Sequence, residues 1–289
     1  MTIENLQIYK RPQLTEPKLL MGFSGWMDGG DVSTGTIGHL IGRLAAKRFA
    51  CIEPEGFYIE SFVGTMEMAA LFRPSARIED GLVKSFMRAD NSFYASTEEN
   101  LILFVGQEPN INWKKYAECV FTLCSEYHIR QIYFIGSVAG LVPHTREPKI
   151  FCSVSNEKLK DQYHQLGIGF SNYQGPAGIV TYLVKTAQER NIDMTSFVAT
   201  VPIYIQGRNP KAIYSAARRI CALLKFKIEL EELEEAANVF ENKLNELVEK
   251  QPELTEIIHK LEGDYDSEVF DSEMGDLKQW LQEKGIRID

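Results

Sequence analysis

Short apolar runs alternate with amphipathic stretches through the first 228 residues of the chain. Several of these runs end at a glycine or in a polar turn, which is typical of buried strands. The pattern predicts strands at the run that begins with Leu19, at Phe57–Val63, at two short segments within Leu82–Ala95, and at Leu101–Gly106, Ile132–Gly136, Phe151–Val154 and Phe197–Ile205.

Apolar residues three and four positions apart predict helices between these strands. One helix begins at Val32 and a second follows the candidate N-cap Asn112. A third opens at Gly175-Pro176, and a fourth follows Asn209, with Pro210 at its first position. Strands and helices alternate as they do in βαβ units. We therefore expect an α/β protein whose largely parallel sheet carries helices on both faces.

The composition changes after Phe226, where the chain becomes strongly acidic. We expect residues 1–228 to form the α/β domain and residues 229–289 to form a helical C-terminal region. Apolar residues recur in this region every three and four positions, which is the spacing of a heptad stripe. The stripe either drives self-association or packs back onto the parent domain. Its residues are Leu230, Leu233, Ala237, Phe240, Leu244 and Leu247.

The stripe ends before Pro252, and shorter elements are predicted beyond it. Apolar positions within 254–261 predict a second, short helix that could cover part of the stripe. The polar, acidic segment Gly263–Ser272 reads as a linker. A final helix is predicted from Glu273 to Lys284.

The segment Gly22–Asp31 joins the first predicted strand to the first predicted helix and contains four glycines and two aspartates. It matches neither the dinucleotide fingerprint nor the lysine-bearing nucleotide loop. No lysine or arginine lies between Met21 and Gly42. In one interpretation the glycines permit positive φ and Asp31 caps the helix. In the other, the turn holds an anion or a metal-phosphate.

Polar and aromatic residues also follow other predicted strands or precede predicted helices. In a parallel sheet the carboxyl ends of the strands lie on one edge, so these loops are expected to converge there on a crevice. A histidine and an arginine in such a crevice could bind a carboxylate or a phosphate. The candidate ligand- or partner-binding residues are Trp26, Asp28, Asp31, Glu108, His144, Arg146 and Tyr173.

The sequence contains no complete catalytic set of nucleophile, base and orienting group. Ser137 lies in Gly-Ser-Val-Ala-Gly, one place too early for a nucleophile elbow, and is rejected as a nucleophile. The five cysteines are scattered and the five histidines lack metal-ligand spacing. Asp28 and Asp31 have no further carboxylates around them to hold a hard cation. We expect no metal, no cofactor and reduced cysteines.

Composition narrows the classes of partner. The chain has 289 residues and a net charge of −9, which disfavours nucleic acid and anionic membranes. No apolar run approaches the roughly 20 residues of a membrane-spanning helix. The first residues are polar and acidic rather than those of a secretory signal. We therefore expect a cytoplasmic protein that contacts neither nucleic acid nor membrane.

Taken together, the loop motifs resemble those of the proteasome assembly chaperone 2 family in its bacterial and archaeal form. The likeness is ordered and extends from about Leu19 to Ala237. The matching motifs are Gly-Trp-x-Asp-x-Gly at 25–30, Phe57-Tyr58, Arg73-Pro74, Gly106-x-Glu108-Pro109 with Trp113, Pro143-His144-Thr145-Arg146, Tyr173-x-Gly175-Pro176, Val201-Pro202-x-Tyr204 and Asn209-Pro210-Lys211-Ala212.

The resemblance implies a three-layer, phosphorylase/hydrolase-like α/β fold and no established enzymatic activity. Relatives in eukaryotes and archaea bind proteasome α-subunits, some of them through a C-terminal hydrophobic-Tyr-x tail. This chain departs from the family pattern at Met27, where asparagine is common. It also has Ile288 in place of the tail tyrosine.

Two hypotheses about function follow. The first is a non-enzymatic, oligomeric assembly chaperone or scaffold, which binds protein partners, including proteasome-like subunits, and itself. The second is an enzyme or small-ligand binder with a nucleoside- or phosphate-type ligand in the crevice. The first is favoured because a catalytic set is missing and the acidic C-terminal region suits protein contacts.

Overall fold

The computed structural model describes residues 4–164 and 168–283, with side chains up to residue 269. The strands within these residues are β1 (Leu6–Ile8), β2 (Lys18–Ser24), β3 (Lys47–Ile52), β4 (Ser75–Glu79), β5 (Leu82–Met87), β6 (Ser92–Ser96), β7 (Leu101–Gln107), β8 (Gln131–Gly140), β9 (Ile150–Val154), β10 (Gly169–Phe170) and β11 (Asp193–Pro202). The helices are α1 (Val32–Arg43), α2 (Met66–Ala70), α3 (Trp113–Glu126), α4 (Leu159–His164), α5 (Ile179–Glu189), α6 (Pro210–Leu224), α7 (Glu231–Glu249) and α8 (Pro252–Glu283).

Nine of the strands form one mixed sheet in the order β1-β3-β6-β7-β2-β8-β11-β9-β10. The four central strands, β7, β2, β8 and β11, run parallel, so their carboxyl ends lie on one edge, as expected. Antiparallel pairs extend the sheet on both sides, through β6 beside β7 and through β9 beside β11. β4 and β5 pair only with each other, as a separate hairpin.

Alternation along β2 shows how both faces of the sheet are covered. Leu19, Met21 and Phe23 belong to a core cluster with α3 and α5. Leu20 points the other way, into a second cluster with α1 and α6. A central strand buried on both faces has a nearly continuous apolar sequence, which is what the pattern contains. The predicted α/β architecture, with helices on both faces, is confirmed.

The predicted strand at Phe57–Val63 is wrong. Phe57 is buried, and its carbonyl oxygen accepts hydrogen bonds from the backbone N–H groups of Asn110 and Ile111 at 2.9 and 3.1 Å. These bonds fix the segment against the loop after β7 instead of against a neighbouring strand. Its apolar side chains serve this local packing, which periodicity alone does not distinguish from a strand.

The last parallel strand also differs from its predicted bounds. β11 begins at Asp193 rather than Phe197, and it ends at Pro202 rather than Ile205. Three of its first four residues are polar, so the apolar pattern missed them, although Thr195 and Ser196 are buried. The Thr195 hydroxyl forms a 2.9 Å hydrogen bond with the Tyr163 hydroxyl, which compensates for its burial.

The predicted linker at Gly263–Ser272 is wrong as well, because α8 runs without a break from Pro252 to Glu283. Tertiary contacts hold the helix where its local propensity is weak. Tyr265 donates a hydrogen bond to the carbonyl oxygen of Glu147 at 2.8 Å, and Asp266 accepts two from Arg146. Lys284 and the tail with Ile288 lie outside the described residues.

The heptad stripe packs back onto the parent domain rather than forming an exposed seam. Leu233 and Ala237 are buried, and Leu233 belongs to the core cluster of α6. Phe240 and Leu244 face the loop after β8. Leu247, at the far end, is exposed. Of the two alternatives, packing onto the parent domain therefore accounts for Leu233 and Ala237. The division at residue 228 stays a prediction.

We expect Leu233→Ala to lower the free energy of unfolding by about 2–3 kcal/mol, because it leaves a cavity against α6. The matched control, Leu247→Ala, removes a side chain that is 55% exposed and should change stability by less than about 0.5 kcal/mol. Urea unfolding measures both variants, and light scattering measures their mass. A change of oligomeric mass in the Leu233 variant would contradict intramolecular packing of the stripe.

Candidate functional site

The turn between β2 and α1 is shaped by two glycines in left-handed conformations. Gly25 has φ +128° and Gly30 has φ +67°. A Cβ atom on Gly25 would lie 2.9 Å from the Cβ of Glu108, and one on Gly30 would lie 2.8 Å from the Cβ of Asn209. Both positions combine positive φ with close approach, so both require glycine. The interpretation that glycines here permit positive φ is confirmed at these positions.

The carboxylate that caps α1 belongs to Asp28 and not to Asp31, so the predicted cap was wrong. Asp28 Oδ1 accepts a hydrogen bond from Thr34 N at 3.1 Å, and Oδ2 accepts one from the Thr34 hydroxyl at 2.7 Å. Asp31 adopts a left-handed backbone, and its exposed side chain makes no capping bond. Burial raises the pKa of Asp28, and the bonds from Thr34 oppose that shift.

Ser137 fastens the turn to the neighbouring strand β8. Its backbone N–H donates to the carbonyl oxygen of Met27 at 2.9 Å, and its hydroxyl donates to that of Gly29 at 2.6 Å. The side chain is buried and its hydroxyl proton is engaged by a backbone acceptor. Ser137 thus holds the turn in place, which agrees with its rejection as a nucleophile.

Ser33 is a positioning residue that the sequence analysis missed. Its hydroxyl oxygen accepts a hydrogen bond from Phe23 N at 2.9 Å and donates to the carbonyl oxygen of Ile135. One side chain in the first turn of α1 thereby joins β2 and β8. The sequence could have indicated this role, because Ser33 is a small polar residue at a helix position that faces the core.

Glu108 joins the β2–α1 turn to the start of α5. Oε2 accepts a hydrogen bond from Trp26 N at 2.9 Å, and Oε1 accepts one from Ile179 N at 3.0 Å. The carboxylate therefore lies at the N terminus of α5, where the helix dipole favours negative charge. α5 begins at Ile179, a few residues after the predicted start at Gly175-Pro176. The Trp26 side chain is 64% exposed.

Tyr173 does not join Trp26 and Glu108 through a hydrogen bond. Its hydroxyl donates to the carbonyl oxygen of Pro176 at 3.1 Å, within its own loop. The ring is 67% exposed. Its contact stabilises the loop that leads into α5, and the aromatic face remains accessible.

His144 lies in a different environment, beneath α7. Its Nδ1 is 2.9 Å from the hydroxyl of Tyr204, and its Nε2 is 3.0 Å from Oδ1 of Asn245. Lys211 Nζ donates to the His144 carbonyl oxygen at 2.7 Å. Burial lowers the pKa of His144, and the nearby Lys211 charge acts in the same direction. Both ring nitrogens therefore have partners within the chain.

Arg146 is paired with α8. It makes a bidentate contact with the Asp266 carboxylate, both N–O distances being 2.8 Å, and lies 3.3 Å from Glu262. The hydrogen bond from Arg146 lowers the pKa of Asp266. The bond from Thr145 is the main cause of the lowered pKa of Glu262. The guanidinium group thus positions α8.

The candidate residues with partners outside their own loops therefore fall into two sets along the edge where the parallel strands end, and the predicted single crevice stays a prediction. The turn group contains Trp26, Asp28 and Glu108, and the helix group contains His144 and Arg146. The N terminus of α6 lies between them. Asn209 N donates to the Gly30 carbonyl oxygen at 2.8 Å, and Lys211 two residues later contacts His144.

Potential metal ligands and nucleophiles do not cluster within the described residues. No group of three or more histidine, cysteine, aspartate or glutamate side chains among them could hold a metal ion. All five cysteines are buried and free. Burial raises the pKa of Cys119 and Cys152 to about 11 and that of Cys124 and Cys221 to about 12. Such thiols are poor nucleophiles near neutral pH.

Helices cover both faces of a sheet whose central strands are parallel, and the polar side chains at the carboxyl ends of these strands bond within the chain. These features define a three-layer α/β protein. No helix in the described part of the chain has the length and apolar character needed to cross a membrane. The sequence model of the PAC2 family matches residues 22–248. The chain therefore belongs to the PAC2 family, as its motifs indicate.

Solved structures share the fold at low sequence identity. A protein of unknown function from Corynebacterium glutamicum has a TM-score of 0.79 and 20% identity, with 93% of this chain and 100% of that chain covered. A Mycobacterium tuberculosis proteasome-assembly chaperone homologue has a TM-score of 0.73 and 23% identity over 83% and 99%. The archaeal proteasome activator PbaB of Pyrococcus furiosus has a TM-score of 0.61 and 19% identity over 84% and 97%. No protein with a curated description matches the chain.

We expect Asp28→Ala to lower the free energy of unfolding by about 1 kcal/mol, with an upper bound near 2, because two capping bonds to Thr34 are lost. The matched control is Asp31→Asn, which keeps a residue tolerant of left-handed φ and removes no capping bond. It should change stability by less than about 0.5 kcal/mol. Urea unfolding at neutral pH compares the variants. An equal loss of unfolding free energy in both variants would indicate that Asp31 also caps the helix.

The lowered pKa of His144 predicts a loss of stability in acid. The folded protein binds a proton at His144 less readily than the unfolded chain, whose histidines titrate near pH 6.5. Stability therefore falls as the pH decreases through that value. His39, whose pKa burial also lowers, contributes in the same direction. The pH profile of urea unfolding between about pH 8 and 5 measures the effect.

The contribution of His144 is isolated by comparing two variants. His144→Gln should show a smaller loss of stability between neutral pH and pH 5 than the unsubstituted protein. His164→Gln, which changes an exposed histidine on α4, should retain the full loss. Identical pH profiles for the two variants would refute the role of His144.

Proposed function

We propose that this PAC2-family protein acts without catalysis, as an oligomeric scaffold that binds other protein chains. The observation that carries the proposal is an exposed segment, residues 62–87, here called the apolar arm. Half of the large apolar side chains that are exposed in the described residues belong to it. These are Phe62, Val63, Met66, Met68, Leu71, Ile78, Leu82, Val83, Phe86 and Met87.

The tip of the apolar arm is the hairpin of β4 and β5, which lies outside the large sheet. Ile78 pairs with Val83, and Ala76 pairs with Phe86. The large apolar side chains of the hairpin are all 60–65% exposed. A lone two-stranded hairpin is marginally stable in water. Covering its side chains in an interface stabilises it by about 1.5–3 kcal/mol for each large residue that is fully buried.

Ion pairs at the base join the two ends of the arm. Arg88 pairs with Glu55 and Glu60 at 2.5 and 2.6 Å, on the side of the arm next to β6. Phe62 and Phe72 stack within the arm, with ring centroids 5.0 Å apart. The arm is thus organised by its own contacts while its apolar side chains face solvent. This arrangement suits a segment that inserts into another chain.

Charge favours a second copy of the chain as the occupant of this surface. The whole chain carries a net charge of −9, so copies repel one another over most of their surfaces. The apolar arm has three acidic residues (Glu67, Glu79 and Asp80) and three basic ones (Arg73, Arg77 and Lys84), and is therefore neutral. Copies can approach there with the least repulsion and with the most apolar area to bury.

The alternative hypothesis, a nucleoside- or phosphate-type ligand at the strand edge, has less support. The N terminus of α5, which would attract an anion, already holds the Glu108 carboxylate. Arg146 is engaged by Asp266, and both nitrogens of His144 have partners. The polar atoms that a ligand would need are thus used within the chain. We keep Trp26, Asp31 and Tyr173 as accessible candidates for contacts with a protein partner.

Proteasome subunits are the class of partner that family membership suggests. One solved structural neighbour is a proteasome-assembly chaperone homologue, and another is an archaeal proteasome activator. An oligomeric scaffold would hold such subunits in a fixed arrangement during assembly. The net charge of −9 supports protein partners rather than nucleic acid or membrane, and we propose that the protein works in the cytoplasm.

The decisive experiment compares charge insertions inside and outside the apolar arm. The unsubstituted protein should form a stable oligomer at micromolar concentration. Val83→Asp combined with Phe86→Asp should reduce it to a monomer of 32.9 kDa, because the interface would have to bury two unpaired charges. Light scattering coupled to gel filtration gives the masses.

The matched control is Leu247→Asp, which changes a similarly exposed apolar residue on α7. It should leave the oligomeric mass unchanged. Each variant is also mixed with purified proteasome α-subunits, and native mass measurement reports complex formation. A monomeric unsubstituted protein, or an arm variant of full oligomeric mass, would refute assembly through the arm.

A further inference from the structure

An exposed apolar side chain follows each of the four parallel strands at its carboxyl end. Ile111 follows β7, Trp26 follows β2, Leu141 follows β8 and Ile203 follows β11. Their exposed fractions are 41%, 64%, 76% and 58%. The four strands are neighbours in this order, so the four side chains succeed one another along one edge of the sheet. They are here called the apolar row.

The carboxylates in the loops of the apolar row already have partners. The Asp28 carboxylate accepts two hydrogen bonds from Thr34. The Glu108 carboxylate accepts bonds from Trp26 N and Ile179 N. Covering the row would therefore remove apolar surface from water without leaving these two carboxylates unpaired.

The apolar arm follows a strand that ends at the same edge. β3 is antiparallel to β6, and β6 is antiparallel to β7, so β3 runs in the same direction as β7. The segment that leads from β3 into the arm is held to the loop after β7, where the Phe57 carbonyl oxygen accepts a bond from Ile111 N at 3.1 Å. The arm of a copy does not cover its own row, because the side chains of both remain exposed.

Given the proposed self-assembly through the arm, we infer that the hairpin of β4 and β5 docks on the apolar row of a second copy. Neighbouring strands lie about 4.8 Å apart, so the row extends for about 15 Å. β4 and β5 have five and six residues, which makes the hairpin about 17–20 Å long. The two surfaces therefore match in length and in apolar character. Because they are different surfaces, each copy contributes an arm to one contact and a row to another.

The experiment introduces charges into the row of the full-length protein. Leu141→Lys combined with Ile203→Lys should convert the oligomer into the 32.9 kDa monomer, because docking would bury two unpaired charges. The matched control is Leu247→Lys combined with Ile257→Lys, which adds the same charge at two side chains that are each 55% exposed on α7 and α8. The control should keep the oligomeric mass. Light scattering coupled to gel filtration gives the masses.

Mixing two variants tests directly whether the arm meets the row. The arm variant, Val83→Asp with Phe86→Asp, is mixed with the lysine variant of the row. A complex of at least two chains should form, because the aspartates meet the lysines at one contact and the unsubstituted arm meets the unsubstituted row at the other. Native mass measurement detects the complex. Circular dichroism checks the fold, and Trp26→Lys replaces the row pair if that pair alters the spectrum.

Two results would overturn docking on the row: a folded row variant that keeps the full oligomeric mass, and a mixture that forms no complex. If the arm variant is monomeric while the row variant keeps the full mass, assembly through the arm stands and its receiving surface lies elsewhere. An arm variant that keeps the full mass would instead refute assembly through the arm itself.

Discussion

The hydrogen bonds that fasten the β2–α1 turn to β8 hold the centre of the protein together. Ser137 binds the turn from the strand side, and Ser33 binds both strands from the first turn of α1. The turn can approach this closely because Gly25 and Gly30 have no Cβ atoms. Once it is fixed, Glu108 reaches Trp26 N and anchors α5 on the opposite face. One turn therefore sets the positions of helices in both outer layers.

The edge where the parallel strands end and the apolar arm differ in whether their side chains have partners within the chain. At the edge, the carboxylates of Asp28 and Glu108 and the ring nitrogens of His144 are satisfied by partners within the chain, which makes the edge rigid. In the arm, large apolar side chains remain exposed, which is unfavourable in water unless something covers them. A protein with a rigid body and an uncovered apolar projection is suited to binding other chains. This contrast is the basis of our proposal that the protein is a scaffold.

The local sequence was sufficient to predict a helix or strand where neighbouring residues in the chain determine that element. Buried apolar runs predicted β7 and β8, and an apolar stripe predicted α3. Asn209 followed by Pro210 predicted the start of α6, where the Asn209 side chain accepts a hydrogen bond from Ala212 N at 3.0 Å. In each case the residues that fix the element are near neighbours in the chain. The motifs along the sequence likewise indicated the family, because recognising the family requires only the order of the motifs and no knowledge of tertiary contacts.

The sequence by itself thus determined the α/β class, the principal strands and helices and the glycine turn. The tertiary structure decided that Asp28 rather than Asp31 caps α1, and that α8 continues through Gly263. It also decided that Arg146 serves α8, because its partner Asp266 is 120 residues away in the chain. Leu233 is buried against the parent domain, whereas the apolar side chains of the arm are exposed. The sequence is apolar at both places and does not distinguish them. Such outcomes depend on which distant surfaces meet, and local periodicity carries no information about that.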